Sequence, residues 1–189
     1  MYKNCQNEQS FRRQRQIETA LMEMMCHRRY EDITVSELCS RTGIPRKAFY
    51  RYFSSKDGAM YAMIDHTLMD LMEYIQFSGV DARNDPCMYM EKLCAFWKAQ
   101  KPLMEALAHC NMSGNLVIRA IDLSRGTDSA PQFLKTAEKQ LQDYGSMFAT
   151  CGIMTMMIQW HQDGHSQSVE QMAKLLLKLL SQPLFLLGE

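Results

Sequence analysis

Residues 33–56 read ITVSELCSRTGIPRKAFYRYFSSK, and this stretch decides the fold. Thr34-Val-Ser-Glu37 has capping-box spacing. The Thr34 hydroxyl accepts from the Glu37 amide while the Glu37 carboxylate accepts from the Thr34 amide, which starts a short helix. Val35, Leu38 and Cys39 give that helix an apolar side. Gly43 stops it, because a left-handed turn costs glycine least. Pro45 then fits the first turn of a second helix, where no donor is needed and φ is already set. The second helix carries Arg46, Lys47, Tyr50 and Arg51 beside core-facing Ala48, Phe49 and Phe53. Two short helices about a tight glycine turn, the second basic and aromatic, make a helix-turn-helix that offers its second helix to a DNA major groove.

The run Thr34, Gly43, Phe49-Tyr50, Tyr52-Phe53 and Lys56 resembles the DNA-binding domain of the TetR/AcrR family of bacterial transcriptional regulators. The resemblance is specific over about residues 10–75; beyond that it concerns helix order more than residue identity. It implies an all-α protein: a three-helix helix-turn-helix DNA-binding domain at 1–56, then a helical dimerisation and effector-binding domain at 57–189. It further implies a homodimer on a double-stranded DNA operator, acting as a repressor that a small apolar or amphipathic effector releases.

Charge distribution agrees with a nucleic-acid partner at one end. Formal net charge is zero over the 189 residues, yet residues 1–56 hold eleven Lys/Arg against six Asp/Glu, and the remainder ten against fifteen. A basic head on an acidic body suits a chain that meets phosphates only at the head. The N-terminal MYKNCQNEQSFRRQRQ lacks the apolar run of a signal peptide. The apolar stretch Leu175–Leu187 is broken by Lys178 and Pro183 and is too short to span a bilayer. Seven scattered cysteines with no C-x-x-C pair fit a reduced, cytoplasmic location.

Helical periodicity organises the rest. Residues 1–10 are polar and read as disordered. Ile17, Ala20, Leu21, Met24 and Met25 mark a first helix running to about Arg29. Ser55 is a good N-cap for a helix of about twenty residues with a stripe of Met60, Ile64, Leu68, Leu71, Met72 and Ile75; Asp57 complements its dipole. SGVDARNDP (Ser78–Pro86) is a loop that caps a helix bearing Tyr89, Met90, Leu93, Phe96 and Trp97. Lys101-Pro102 interrupts it and opens another, with Leu103, Ala106, Leu107 and Cys110. Met112–Asn115 reads as a turn, Leu116–Leu123 as a helix ended near Gly126, and Thr127–Pro131 as a loop. A long helix is expected over about 140–162. Its Gly145, Ala149 and Gly152 suggest close approach of another helix, and Asp163-Gly164 ends it. Ser168-x-x-Gln171 is a second capping box, opening a last helix at 168–182. These last two helices would pair with their copies in a four-helix bundle.

Arg46 and Lys47 open the recognition helix, where side chains face base edges, and arginine suits the two acceptors of guanine. The alternative is a solvated basic surface. The resemblance assigns Tyr50 to the DNA backbone or a base and Tyr52 to a phosphate; half-buried packing is the alternative for each. Lys56 sits at a helix start, where charge and free amides favour a phosphate, and Ser36 adds a weaker phosphate hydrogen bond. Ala48 departs from the Thr or Ser usual there and removes one hydroxyl.

No G-x-S-x-G, H-E-x-x-H or phosphate loop occurs, so no enzyme is implied. No cofactor is implied either. His161 and His165 have metal-ligand spacing, but Gly164 between them ends the helix, and no metal site is assigned. An effector pocket implied by the resemblance would draw on Phe96, Trp97, Met104, His109, Met147 and Met154; methionine and aromatic stripes are otherwise ordinary core. Two other readings remain beside the main one: the same fold working through a protein partner with weak DNA binding, and a small helical enzyme.

Overall fold

The computed structural model describes Tyr2, residues 8–126 and residues 138–182. Among them the chain forms nine α-helices: α1 (Glu8–Met25), α2 (Val35–Thr42), α3 (Arg46–Tyr52), α4 (Lys56–Phe77), α5 (Pro86–Ala99), α6 (Lys101–His109), α7 (Ser113–Gly126), α8 (Lys139–Gln162) and α9 (Val169–Ser181). A single 3-10 turn, Tyr30–Asp32, lies between α1 and α2. The expected loop Thr127–Pro131 falls outside the described residues, as does most of the segment expected to be disordered at the N-terminus. Tyr2 is described, and it makes an isolated antiparallel bridge to Phe53.

The helices group into two compact units. The first comprises Met1–Thr67 with Pro102–Arg119, the second Leu68–Lys101 with Ala120–Glu189.

In the first unit α1 packs on α2 and α2 on α3. Its core is Ile17, Leu21, Met25, Ile33, Leu38, Phe49, Phe53, Met60 and Ile64, each at most 1% exposed. The α1 stripe is the one expected, but the helix stops at Met25 instead of Arg29. The Cys110 thiol donates to the carbonyls of Met25 and Arg28 at 3.5 Å, which occupies acceptors that another helical turn would need. The turn before α7 also comes earlier than expected. Asn111 takes it up at φ 55, a conformation asparagine tolerates, and Ser113 already begins the helix.

Around its middle α4 is buried on all sides, from Ala62 to Leu68, rather than along one stripe. That girdle includes Asp65, His66 and Thr67. Asp65 accepts from Arg119 Nε at 2.7 Å and Nη2 at 2.5 Å. Nδ1 of His66 lies 3.0 Å from both carboxylate oxygens of buried Glu18. Buried charges persist only when paired, and both of these are.

In the second unit α5 packs chiefly on α9 and also on α8. Asp85 caps α5, accepting from the Met88 amide at 2.9 Å, with Pro86 in the first turn. Met90, Leu93, Cys94, Phe96 and Trp97 are buried; desolvation pushes the Cys94 thiol up to about 12. Ser168 and Gln171 form the capping box of α9, at 3.1 and 2.8 Å. Gly145 and Gly152 of α8 do not serve a close approach among the described residues: a Cβ on either meets nothing within 4 Å. Of the small face, Ala149 alone is buried.

Candidate nucleic-acid interface

Thr34 caps α2 by the expected reciprocal pair. Its hydroxyl accepts from the Glu37 amide at 3.2 Å, and Glu37 accepts from the Thr34 amide at 2.9 Å. The Arg28 guanidinium, at 2.9 Å, and the Thr34 hydroxyl and amide hold the Glu37 carboxyl down at about 2. Gly43 ends α2 at φ 66, and the amide of Ile44 returns to the Cys39 carbonyl at 3.1 Å. Pro45 is the N-cap of α3, one position ahead of the expected first turn; its ψ of 142° is extended, and its carbonyl accepts from Ala48 and Phe49.

Seven residues of α3 divide into two faces. Ala48, Phe49 and Tyr52 are buried, with Phe53 following, and the Phe49 and Phe53 rings meet at 5.3 Å. Arg46, Lys47, Tyr50 and Arg51 are exposed, Tyr50 at 49%. The buried aromatic face fixes the helix, so the opposite face stands to solvent without choice of orientation.

Ion pairing sharpens the contrast. Arg12 pairs with Glu8, Arg28 with Glu37 and Arg41 with Glu23, at 2.6, 2.9 and 2.8 Å. Arg46, Lys47 and Arg51 pair with no carboxylate among the described residues. Arg12, Arg28 and Arg41 are thus neutralised within the fold, and the cations of α3 keep their charge for a polyanion. Arg51, read from the sequence as part of the second helix but assigned no contact, is exposed beside Tyr50.

Two of the expected contact residues are also engaged within the head. Tyr52 is 6% exposed and sits edge-on to Phe53 at 6.3 Å, so its ring belongs to the core. The Lys56 ammonium donates to the carbonyls of Tyr30 and Ile33, the latter at 2.7 Å, and rests 4.1 Å from the centroid of the Tyr30 ring. It is engaged inside the head, half-buried, with two of its three donors used. Ser36 lies exposed in the first turn of α2, where it was expected.

The six expected effector-pocket residues divide between the two units. Phe96, Trp97, Met147 and Met154 belong to the second unit, Met104 and His109 to the first. Phe96, Trp97, Met104 and Met154 are buried, Met147 is half-buried and His109 is exposed. A cleft of about 330 Å³ in the first unit is lined by Glu23, Met24, His27, Arg28 and Arg41, a polar, ion-paired set unlike an apolar pocket. The His161 and His165 rings meet at 5.3 Å. Burial, and then the charges of His161, Lys98 and Lys101, hold His165 below the ordinary histidine range. Among the described residues no three side chains of His, Cys, Asp or Glu are grouped to hold a metal ion.

Residues 17–60 match the family model described as bacterial regulatory proteins, tetR family, and residues 84–182 match the model of a transcriptional regulator C-terminal region. The chain belongs to the TetR family of transcriptional regulators. Members are DNA-binding regulators, not enzymes. The structure of the fatty acid degradation regulator FadR from Bacillus halodurans is similar to this TetR-family chain, with a TM-score of 0.61 and 12% identity over 96% of this chain and 98% of that one. The dihydroxyacetone kinase operon activator DhaS is similar at TM-score 0.53 and 17% identity, over 89% and 93%. At such identities the likeness shows the fold alone. No curated protein matches in sequence. No helix among the described residues is long and apolar enough to cross a membrane.

Proposed function

We propose that this TetR-family regulator is a sequence-specific repressor, working in the cytoplasm as a homodimer that a small apolar or amphipathic effector releases from its operator. One observation carries the proposal: the four outward residues of α3 include three cations that the fold leaves without carboxylate partners, on a helix anchored by Phe49 and Phe53. Arg46 and Lys47, near the helix start, read base edges. Tyr50 contacts the backbone or a base, and Ser36 a phosphate. Residues 1–56 act as the reading head and 57–189 as the body.

Exposed apolar residues on α8 support the dimer. Leu141, Tyr144 and Phe148 are 57, 62 and 67% exposed and recur at three and four along one face. Large apolar side chains in a row on a helix are costly to leave in water, and a second copy of α8 and α9 would cover them. Gly145 and Gly152, open on the same helix, leave room for that copy. Two heads held by two-fold symmetry enter successive major grooves about 34–36 Å apart, or a little more. An effector that prefers a body with another head separation weakens DNA binding by that preference. The buried Phe96, Trp97 and Met154 with Met147 are the lining proposed for it in the second unit.

A gel shift with genomic fragments tests the reading. Retarded complexes should survive unlabelled random-sequence competitor and weaken on Arg46→Ala. Retardation that competitor and moderate salt abolish equally for every fragment would favour action through a protein partner.

A further inference from the structure

We propose that the effector taken by the second unit is an uncharged molecule bearing a hydrogen-bond acceptor, such as a ketone, ester or amide carbonyl, which receives the indole N–H of Trp97. The inference rests on the effector reading of the second unit and names the chemistry of that effector. Trp97 is 1% exposed on α5, and its Nε1 is buried with no hydrogen-bond partner among the described residues. A buried indole N–H ordinarily finds an acceptor. The other tryptophan of the chain does so: Trp160 Nε1 donates to the Gln167 carbonyl at 3.1 Å.

The donor fixes the polarity of what it can meet. An indole nitrogen donates and never accepts, so its partner must be an acceptor. The surroundings fix the charge. The Phe96 ring meets Trp97 at 5.6 Å, and the Tyr74 ring meets Phe96 at 5.7 Å. Leu93 and Cys94, one turn earlier on α5, are buried, and the Cys94 thiol at about 12 marks a strongly desolvated interior. Among the described residues the second unit buries no charged side chain, and Ser146 is its one buried polar residue. Ser146 lies on α8, which packs on α5, and its hydroxyl also lacks a partner. A helical hydroxyl commonly returns to a carbonyl four positions back, as Thr155 does to Cys151 at 2.6 Å. A hydroxyl can donate or accept, so Trp97 decides the polarity and Ser146 does not. Lys98, next in sequence, is exposed, with its ammonium 6.0 Å from the Trp160 ring centroid. A carboxylate carried to Trp97 would be buried without a cation, which is heavily penalised. A neutral carbonyl accepts the N–H and escapes that penalty, whereas a hydrocarbon leaves the N–H unpaired.

Matched probes isolate the acceptor. Benzophenone and diphenylmethane share one frame with and without a carbonyl, and diphenylacetate carries a carboxylate on it. Each is titrated into the full-length protein, wild type and Trp97→Phe, with isotope-labelled tryptophan. NMR follows the indole N–H signals, assigned with Trp160→Phe, and the same titrations give dissociation constants. Benzophenone is expected to move the Trp97 indole proton downfield to saturation. The preference for benzophenone over diphenylmethane is expected to fall by about tenfold in Trp97→Phe, the worth of roughly one hydrogen bond. Diphenylacetate is expected to bind more weakly than benzophenone. Three results overturn the proposal: a preference that Trp97→Phe leaves unchanged, a Trp97 signal that stays in place while benzophenone binds, or diphenylacetate as the tightest of the three. The indole shift is read in wild type, so it decides the matter should Trp97→Phe fail to fold. If none of the three probes binds and no indole signal moves, the effector reading itself fails and takes the proposal with it, a result distinct from binding without a carbonyl preference.

Discussion

Replacing Arg119 by methionine is expected to strand the Asp65 carboxylate in the first unit. Asp65 is 5% exposed, and its two oxygens face Arg119 Nε and Nη2 at 2.7 and 2.5 Å. The Tyr2 hydroxyl is its other partner, itself held above the ordinary tyrosine range by burial and by Asp65. Removing one member of a fully buried pair costs about 3–5 kcal/mol. The Arg119 side chain is 31% exposed, so water enters the vacated site and the cost falls to about 2 kcal/mol. For a chain of this size that lowers Tm by roughly 4–8 °C. Circular dichroism melting at one fixed protein concentration is the assay, because assembly makes Tm concentration-dependent. The double variant Arg119→Met/Asp65→Leu removes the stranded charge and is expected to recover more than half of the loss. A shift below about 1 °C in Arg119→Met, or a double variant that melts no higher than the single one, would refute this reasoning.

Three more outcomes follow from single sites. Gly43→Ala forces an L side chain to φ 66 and is expected to cost about 1–2 kcal/mol in urea unfolding, although a Cβ there meets no neighbour. Glu37 falls from an ordinary 4.5 to about 2 in the fold, chiefly through Arg28. A lowered carboxyl stabilises above its unfolded value and loses that contribution as pH falls toward the folded one, so the stability gap between wild type and Glu37→Gln should be full at about pH 6 and close between about 4.5 and 2. Phe148→Asp places a charge on the exposed α8 face and should give folded monomers in analytical ultracentrifugation; a dimer of undiminished affinity would take α8 out of the interface.

The head was legible because its signals are local. The capping box, Gly43 and the alternation of basic and aromatic residues on α3 each rest on neighbours within four positions, and each is found. Pro45 shifted by one position, since φ near −60° suits an N-cap as well as a first turn. The internal partners of Lys56 and Tyr52 were not legible, for a physical reason. A cation at a helix start looks the same in sequence whether it faces a phosphate or a carbonyl 26 residues away. Asp65, His66 and Glu18 were invisible as a set: their partners are 48 and 54 positions distant, and no periodicity marks a buried charge. An effector lining was not legible because apolar side chains at helical spacing signal burial without saying against what.

Selection of bound fragments from random-sequence duplex DNA by the full-length protein, followed by sequencing, asks the decisive question. Enrichment of an inverted repeat with half-sites about one helical turn apart, lost when Arg46 and Lys47 are both alanine, is the expected result. A pool that stays random, or a site without two-fold symmetry that the double variant enriches equally well, would contradict it.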